Sequence, residues 1–391
     1  MGFTETSFNN EEIANQIAEL KKDAEKRKND ITNREYNHVQ AVVEFANMNW
    51  SKASSYWDKI LDESPNDMFA LKSELFSNFY TGQKINNFNM IDRRYSLLKN
   101  DPGYHTETIH GYYAFVLEEV GKYSIAKDIA RKGLNLYPWD GWTTHALAHI
   151  LEMTGDFDVA KQTMTDTTEL WNRANHIGCH NWWHLALFNI SLNDYDTAVE
   201  ILDKELIRRA KESQGTGPII DLNSLLYRLL FLNTEHSYDE QFFIDRFEDA
   251  YLISQQYHKK IVNPFITEHY MMSCLGSKRR SEAEELFDEF KQSKHSELYP
   301  EINQIACDIL QAFMFYDQEN YAKATNILVP IRDEIVTIGG SDAQRDIFNQ
   351  LLLICAVKSP LQEHKDLFKK LVNERENKKF NDWFVSKLTK E

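Results

Sequence analysis

The chain of 391 residues is 42% hydrophobic and 27% charged, with a formal net charge of -16. That acidity disfavours a nucleic-acid backbone or an anionic membrane surface as partner. No apolar run approaches the ~20 residues of a membrane span, and the opening "MGFTETSFNNEE" has no signal-peptide core, so a cytoplasmic protein is expected.

Residues 1–33 read as a solvated, Lys- and Glu-rich amphipathic helix. "MGFTET" meets the loose myristoylation pattern at Gly2 and Thr6, but no basic cluster follows to supply a second anchor. Glycine and proline are few (14 and 8), and no strand-like alternation appears, so helices dominate.

From residue 34 onward a repeat is visible. "ANMNWSKASSYWDKILDESP" carries Trp50, Ala53 and Pro65, and "EEVGKYSIAKDIARKGLNLYP" carries Gly121, Tyr123, Ala126 and Pro138. "EMTGDFDVAKQTM" follows with Gly155, Phe157 and Ala160, and its spacing from the preceding copy matches the tetratricopeptide period of ~34 residues. Tyr195 with Ala198, and Tyr321 with Ala324, continue the pattern, while "GSKRRSEAEELF" keeps only Ala283. The aromatic residue packs between paired helices and the alanine lets their backbones approach; stacking then covers each pair's apolar face. Segments 67–100 and 219–258 are helical fillers. The expected fold is all-α, a right-handed tetratricopeptide-type solenoid of about seven helix pairs over residues 34–372, followed by a charged tail over 373–391. "QGTGPIIDL" marks an internal joint at Gly215, Gly217 and Pro218, and Ser341 with Gln344 forms a capping box.

Two pairs of histidines four apart stand out, His145 and His149 in "HALAHILEM" and His180 and His184 in "HNWWHLAL". In a helix starting near Gly141, Ala148 takes the small packing position. At 100° per residue His149 then lies ~40° and Glu152 about 20° from His145, on one face with Trp142. That face is the concave groove, to which the preceding repeat adds Phe115 and Glu118. A helix starting near Cys179 would bring His180 and Trp183 to the groove and His184 to its edge, with Trp182 as the large core residue. Two such pairs on adjacent helices with Glu152 suit a divalent transition metal such as zinc, iron or manganese. They equally suit half-buried packing or an aromatic peptide groove. Asp221 reads first as an N-cap. His269 joins the site only if the superhelix curls around, and His110 reads as packing. Cys179, Cys274, Cys307 and Cys355 are widely spaced and read as free thiols. No GxSxG, P-loop or GxGxxG motif appears.

"REYNHVQAVVEFANMNW", "NDMFALK", "HALAHILEMTG", "CHNWWHLAL", "SLLYRL" and "IGGSDAQRDIFNQLL" together resemble the tetratricopeptide repeat protein 38 family, within the StaR-like group. The resemblance covers the chain from about Arg34 onward. It implies an all-helical, cytosolic repeat protein without a settled activity. It also implies family matches at His145, His149, Glu152, His180, His184, Asp221 and His269, and a further helical segment ahead of Arg34, where this chain has a short, different stretch that reads as either a divergent or a truncated start. The leading expectation is a protein that binds a partner peptide or small ligand in its groove. Glu118, Trp142, His145, His149, Glu152, His180, Trp183, His184, Asp221 and His269 would form the contact set. The alternatives are a metal-dependent enzyme, with His145, His149, Glu152, His180 and His184 as ligands, or a purely structural scaffold.

Overall fold

The computed structural model describes residues 10–377 apart from 102, 104, 174, 214, 234–236 and 258–262. Helices are α1 (Glu11–Lys26), α2 (Asn33–Ala46), α3 (Trp50–Glu63), α4 (Met68–Phe79), α5 (Lys84–Leu98), α6 (His105–Glu119), α7 (Tyr123–Leu136), α8 (Gly141–Met153) and α9 (Phe157–Asp166). A short α10 (Thr168–Trp171) leads to α11 (Asn175–Ser191), and α12 (Tyr195–Ile201) passes through a π turn into α13 (Ile207–Glu212). The remainder are α14 (Gly217–Phe231), α15 (Glu240–Ser254), α16 (Pro264–Gly276), α17 (Arg280–Lys291), α18 (Lys294–Leu298), α19 (Pro300–Asp317), α20 (Tyr321–Ile331), α21 (Asp342–Lys358) and α22 (Gln362–Asn377). No strand occurs among the described residues, and no helix there is long and apolar enough to cross a membrane.

The helices form an α-solenoid of hairpins stacked side by side. Seven hairpins share one turn. Met48, Gly82, Gly121, Gly155, Asn193, Lys278 and Glu319 all have left-handed backbone angles, and each lies two residues before the second helix of its pair. The next amide closes the turn on a carbonyl five residues back, as Lys122 does on Leu117 (2.8 Å) and Asn320 on Phe315 (2.8 Å). This is the Schellman closure of a helix end. The small residue of each repeat copy, Ala53, Ala126, Ala160, Ala198, Ala283 and Ala324, is wholly buried. With the pairs α14–α15 and α21–α22, nine hairpins result among the described residues, rather than about seven. The extra copies lack the turn aromatic on which the repeat was read.

The array curls until its ends meet. The Trp50 and Tyr299 rings stack 5.6 Å apart at 4°, and the Tyr299 hydroxyl donates to the Met48 carbonyl. The turn before α21 reaches into the hollow of the superhelix, where Asn263 and Gly339 crowd the Tyr80 carbonyl. Ser341 caps α21 through the capping box with Gln344. Asp342 donates its amide to Glu119 (3.2 Å), and Arg228 of α14 donates to the Ala343 carbonyl (2.9 Å). α21 thereby packs on α14 and α8. At the C-terminus α22 continues through Asn377, beyond the expected tail start, because Arg375 is buried against Asp346 (2.7 and 3.1 Å). The remainder of that tail, 378–391, lies outside the described residues, as does Gly2.

Gly339 has φ 92° and ψ -169°, a region essentially open to glycine alone, and a Cβ there would sit 2.6 Å from the Tyr80 carbonyl oxygen. Gly339→Ala is expected to lower stability by ~1–3 kcal/mol, read as a lower urea midpoint. A second expectation concerns Glu74, whose burial pushes its carboxyl up to about 8. The folded state holds that proton above the pKa of the unfolded chain. Its stabilising effect is therefore complete below ~4.5 and lost as pH rises towards about 8. Between pH 5 and pH 8 the wild type should lose on the order of 3 kcal/mol relative to Glu74→Gln, in paired urea titrations.

Candidate functional site

Both histidine pairs sit on neighbouring helices of the array. Asp140 caps α8, accepting from the amides of Trp142 (3.2 Å) and Thr143 (3.1 Å). Asn181 of α11 donates to the Gly141 carbonyl at the start of α8 (3.1 Å). This bond sets the register in which the two helices face their imidazoles to each other. His145, His149, His180 and His184 offer ligand atoms all within 4.8 Å of one another.

Three of the four rings turn Nδ1 towards a carboxylate. His180 Nδ1 lies 2.8 Å from Asp221 Oδ1, His184 Nδ1 3.1 Å from Glu152 Oε2, and His149 Nδ1 3.8 Å from Glu118 Oε2. The opposite Nε2 atoms of His149 and His184, and both ring nitrogens of His145, are buried with no hydrogen-bond partner among the described residues. Both Glu118 oxygens are equally bare. A buried polar atom without a partner costs about 1–3 kcal/mol, and several in one place ask for an occupant. Burial, reinforced by repulsion from neighbouring histidines, holds His145, His149 and His184 well below the ordinary imidazole range. Neutral imidazoles are the form that binds metal. Burial also raises Glu118 well above the usual carboxyl range and Glu152 to about 8, opposed there by Arg228. Glu118, Glu119 and His149 form a second, smaller group of candidate ligands.

A cavity of about 80 Å³ adjoins the histidines. The rings of His145, His149 and His180 face it, as do Phe79, Phe115 and Trp142, while Ser341 and Gln344 close it from the last hairpin. Phe115 is wedged against His145 (5.3 Å) and His149 (5.2 Å), and Trp142 meets His145 edge-on at 5.7 Å.

Several positions differ from the sequence expectation. α11 begins at Asn175, a turn earlier than expected, and from Ile177 onward every side of it is at least partly covered. His184 is therefore the deepest of the four rings instead of the edge, and His180 stands nearest the mouth. Trp183 is wholly buried, stacks on His180 at 5.0 Å and 11° and has the Arg228 guanidinium 5.3 Å from its ring centre; it backs the site without lining the cavity. Trp182, expected as the core residue, is only partly buried and bonds Asn172 (2.8 Å). Asp221 is no N-cap: Thr216 holds that place, which leaves the Asp221 carboxylate for His180. Glu152 lies behind His184, outside the four-histidine group. His269 does not join the site. Its Nδ1 lies 2.7 Å from the Phe265 carbonyl, and its ring packs with Phe265 and Phe348. His110 is buried against Tyr95. All four cysteines are free and buried.

The α4 residues Phe76, Phe79 and Tyr80, and Ser341 and Gln344 of the last hairpin, line the cavity but were not among the expected contacts. The Gly339–Gly340 pair, a costly choice before a helix, was the available signal for the latter.

No family model matches the chain. A chain of the crystal structure of the APC/C hetero-tetramer Cut9–Hcn1 aligns at 16% identity and TM-score 0.39, covering 81% of this chain. The present chain spans 55% of that chain's length, and a likeness so distant bears on no functional question.

Arg228 is the one described cation buried beside Glu152 and Trp183 and bonded to Ala343. Arg228→Met should destabilise the fold by ~2–4 kcal/mol, since it strips a buried cation from its partners, measured as the drop in urea-unfolding free energy.

Proposed function

We propose that the protein binds a divalent transition metal through His145, His149, His180 and His184, and a small, mainly apolar molecule in the adjoining cavity. The observation that carries this reading is the pair of buried, unpartnered Nε2 atoms of His149 and His184, whose Nδ1 atoms face Glu118 and Glu152, converging with the unpartnered His145 ring and with His180, whose Nδ1 meets Asp221. Metal-binding histidines habitually donate their second N–H to a carboxylate, which fixes the tautomer and raises the basicity of the ligating nitrogen. A doubly charged ion would also balance three acids packed in a dry interior. Glu152 supports a ligand rather than being one.

An extended peptide fits this place less well. The chain's own Gly339–Gln344 stretch occupies the concave side next to the histidines, and the room left is about 80 Å³. Solenoid proteins commonly recognise other proteins, and any such contact would use the outer faces here. Membership of the tetratricopeptide repeat protein 38 family, and a cytoplasmic setting, belong to the same proposal.

Tag-free protein should carry near-stoichiometric metal by elemental analysis, and a His149→Ala, His184→Ala double variant should lose it. Because both rings are buried, a milder pair of variants separates binding from folding. Asp221→Asn and Glu152→Gln should each weaken metal affinity by ~10–100-fold while circular dichroism stays unchanged. Wild type that takes up no zinc, iron or manganese after chelation and reconstitution would refute the reading.

A further inference from the structure

Resting on that metal reading, the spacing of the four rings speaks to how many positions on the ion stay open. Imidazole nitrogens sit about 2.0–2.1 Å from a divalent ion, which puts each ring centre ~3.2 Å from it. Four ligands in a tetrahedron would then space every pair of ring centres at about 5.3 Å, whereas a six-coordinate frame spaces neighbours at ~4.6 Å and opposed rings at ~6.5 Å.

The observed distances are uneven in the second way. His149 and His180 stand 6.3 Å apart, as opposed ligands would. His145 lies 4.5 Å from His149 and 4.9 Å from His180, and His184 lies 4.5 Å and 4.8 Å from the same two. All four are near the right-angle value. The remaining pair, His145 and His184, is 5.4 Å apart, splayed beyond a right angle but far short of opposed. One opposed pair and two neighbouring ligands occupy four corners of an octahedron. The two empty corners are adjacent, one opposite His145 and one opposite His184. The cavity touches the other three rings and not His184, so the corner opposite His184 gives onto it.

This pattern discriminates between metals. Closed structural zinc prefers the tetrahedron. Copper(II) and nickel(II) prefer a square plane, which would need two opposed pairs. Manganese prefers oxygen donors. Iron(II) accepts imidazole in a six-coordinate frame and is the metal that proteins use with adjacent open positions. We propose that the ion is ferrous iron with two neighbouring positions open, and that a diatomic molecule of the dioxygen type is what enters them. The walls suit that occupant. Phe79, Phe115 and Trp142 give the approach a mainly apolar lining.

The test uses the full chain, stripped by chelation and reloaded without oxygen, once with cobalt(II) and once with iron(II). Cobalt in the proposed frame gives weak visible absorption; the strong bands of tetrahedral cobalt would overturn the inference while leaving the metal site standing. The iron-loaded protein exposed to nitric oxide should show the S = 3/2 iron–nitrosyl resonance in near-stoichiometric yield. Bound iron that gives no such signal would overturn the open positions. Retention of neither metal would instead remove the metal reading itself, and this inference with it.

Discussion

Closure of the superhelix on its own last hairpin is the constraint from which the rest follows. A stack of hairpins in contact only with its neighbours would leave the inner faces of α6, α8 and α11 open to water. Here Arg228 grips the Ala343 carbonyl, Asp342 meets Glu119, and the Gly339–Gly340 turn lies against Tyr80 and Phe265. Those contacts convert a groove into a cavity. They also dry the interior in which the four histidines stand, so that burial, with the neighbouring histidines adding to it, holds three of them neutral.

Dryness works in two directions. It makes unpartnered imidazole nitrogens and carboxyl groups costly, and it makes the attraction between an ion and those same groups strong. A site with neutral nitrogens pointing inward and acids behind them is poor packing and a good cradle for a cation. The array tolerates comparable strain elsewhere: both Glu268 oxygens are buried without a partner among the described residues. A single bare carboxyl is thus no sign of function in this protein. The convergence of several around one point, with matched ring orientations, is what separates the histidine cluster from Glu268 and from His269.

How far each feature was legible depends on how local its cause is. The hairpins were readable because an alanine and a turn aromatic recur at a fixed spacing, and both are fixed by contacts within one repeat. That His145 and His149 share one face follows from angle alone, since a helix carries its own 100° step, and both line the cavity. Trp182 and Trp183 were exchanged, because α11 is at least partly covered on all sides from Ile177 onward and its outline of apolar residues does not mark one face. Asp221 was misread for a similar reason: the helix start at Thr216 depends on how Pro218 is accommodated, not on the acid three residues further on.

The sequence by itself determined the elements, the repeat and the shared face of the first histidine pair, all consequences of interactions between residues a few positions apart. Only the tertiary structure decided that His269 stands aside, that Asp221 faces His180 across the α11–α14 interface, and that Ser341 and Gln344 close the cavity. These depend on the curvature summed over many hairpins, and a small rotation at each joint, invisible in any one repeat, settles whether the ends of the array meet.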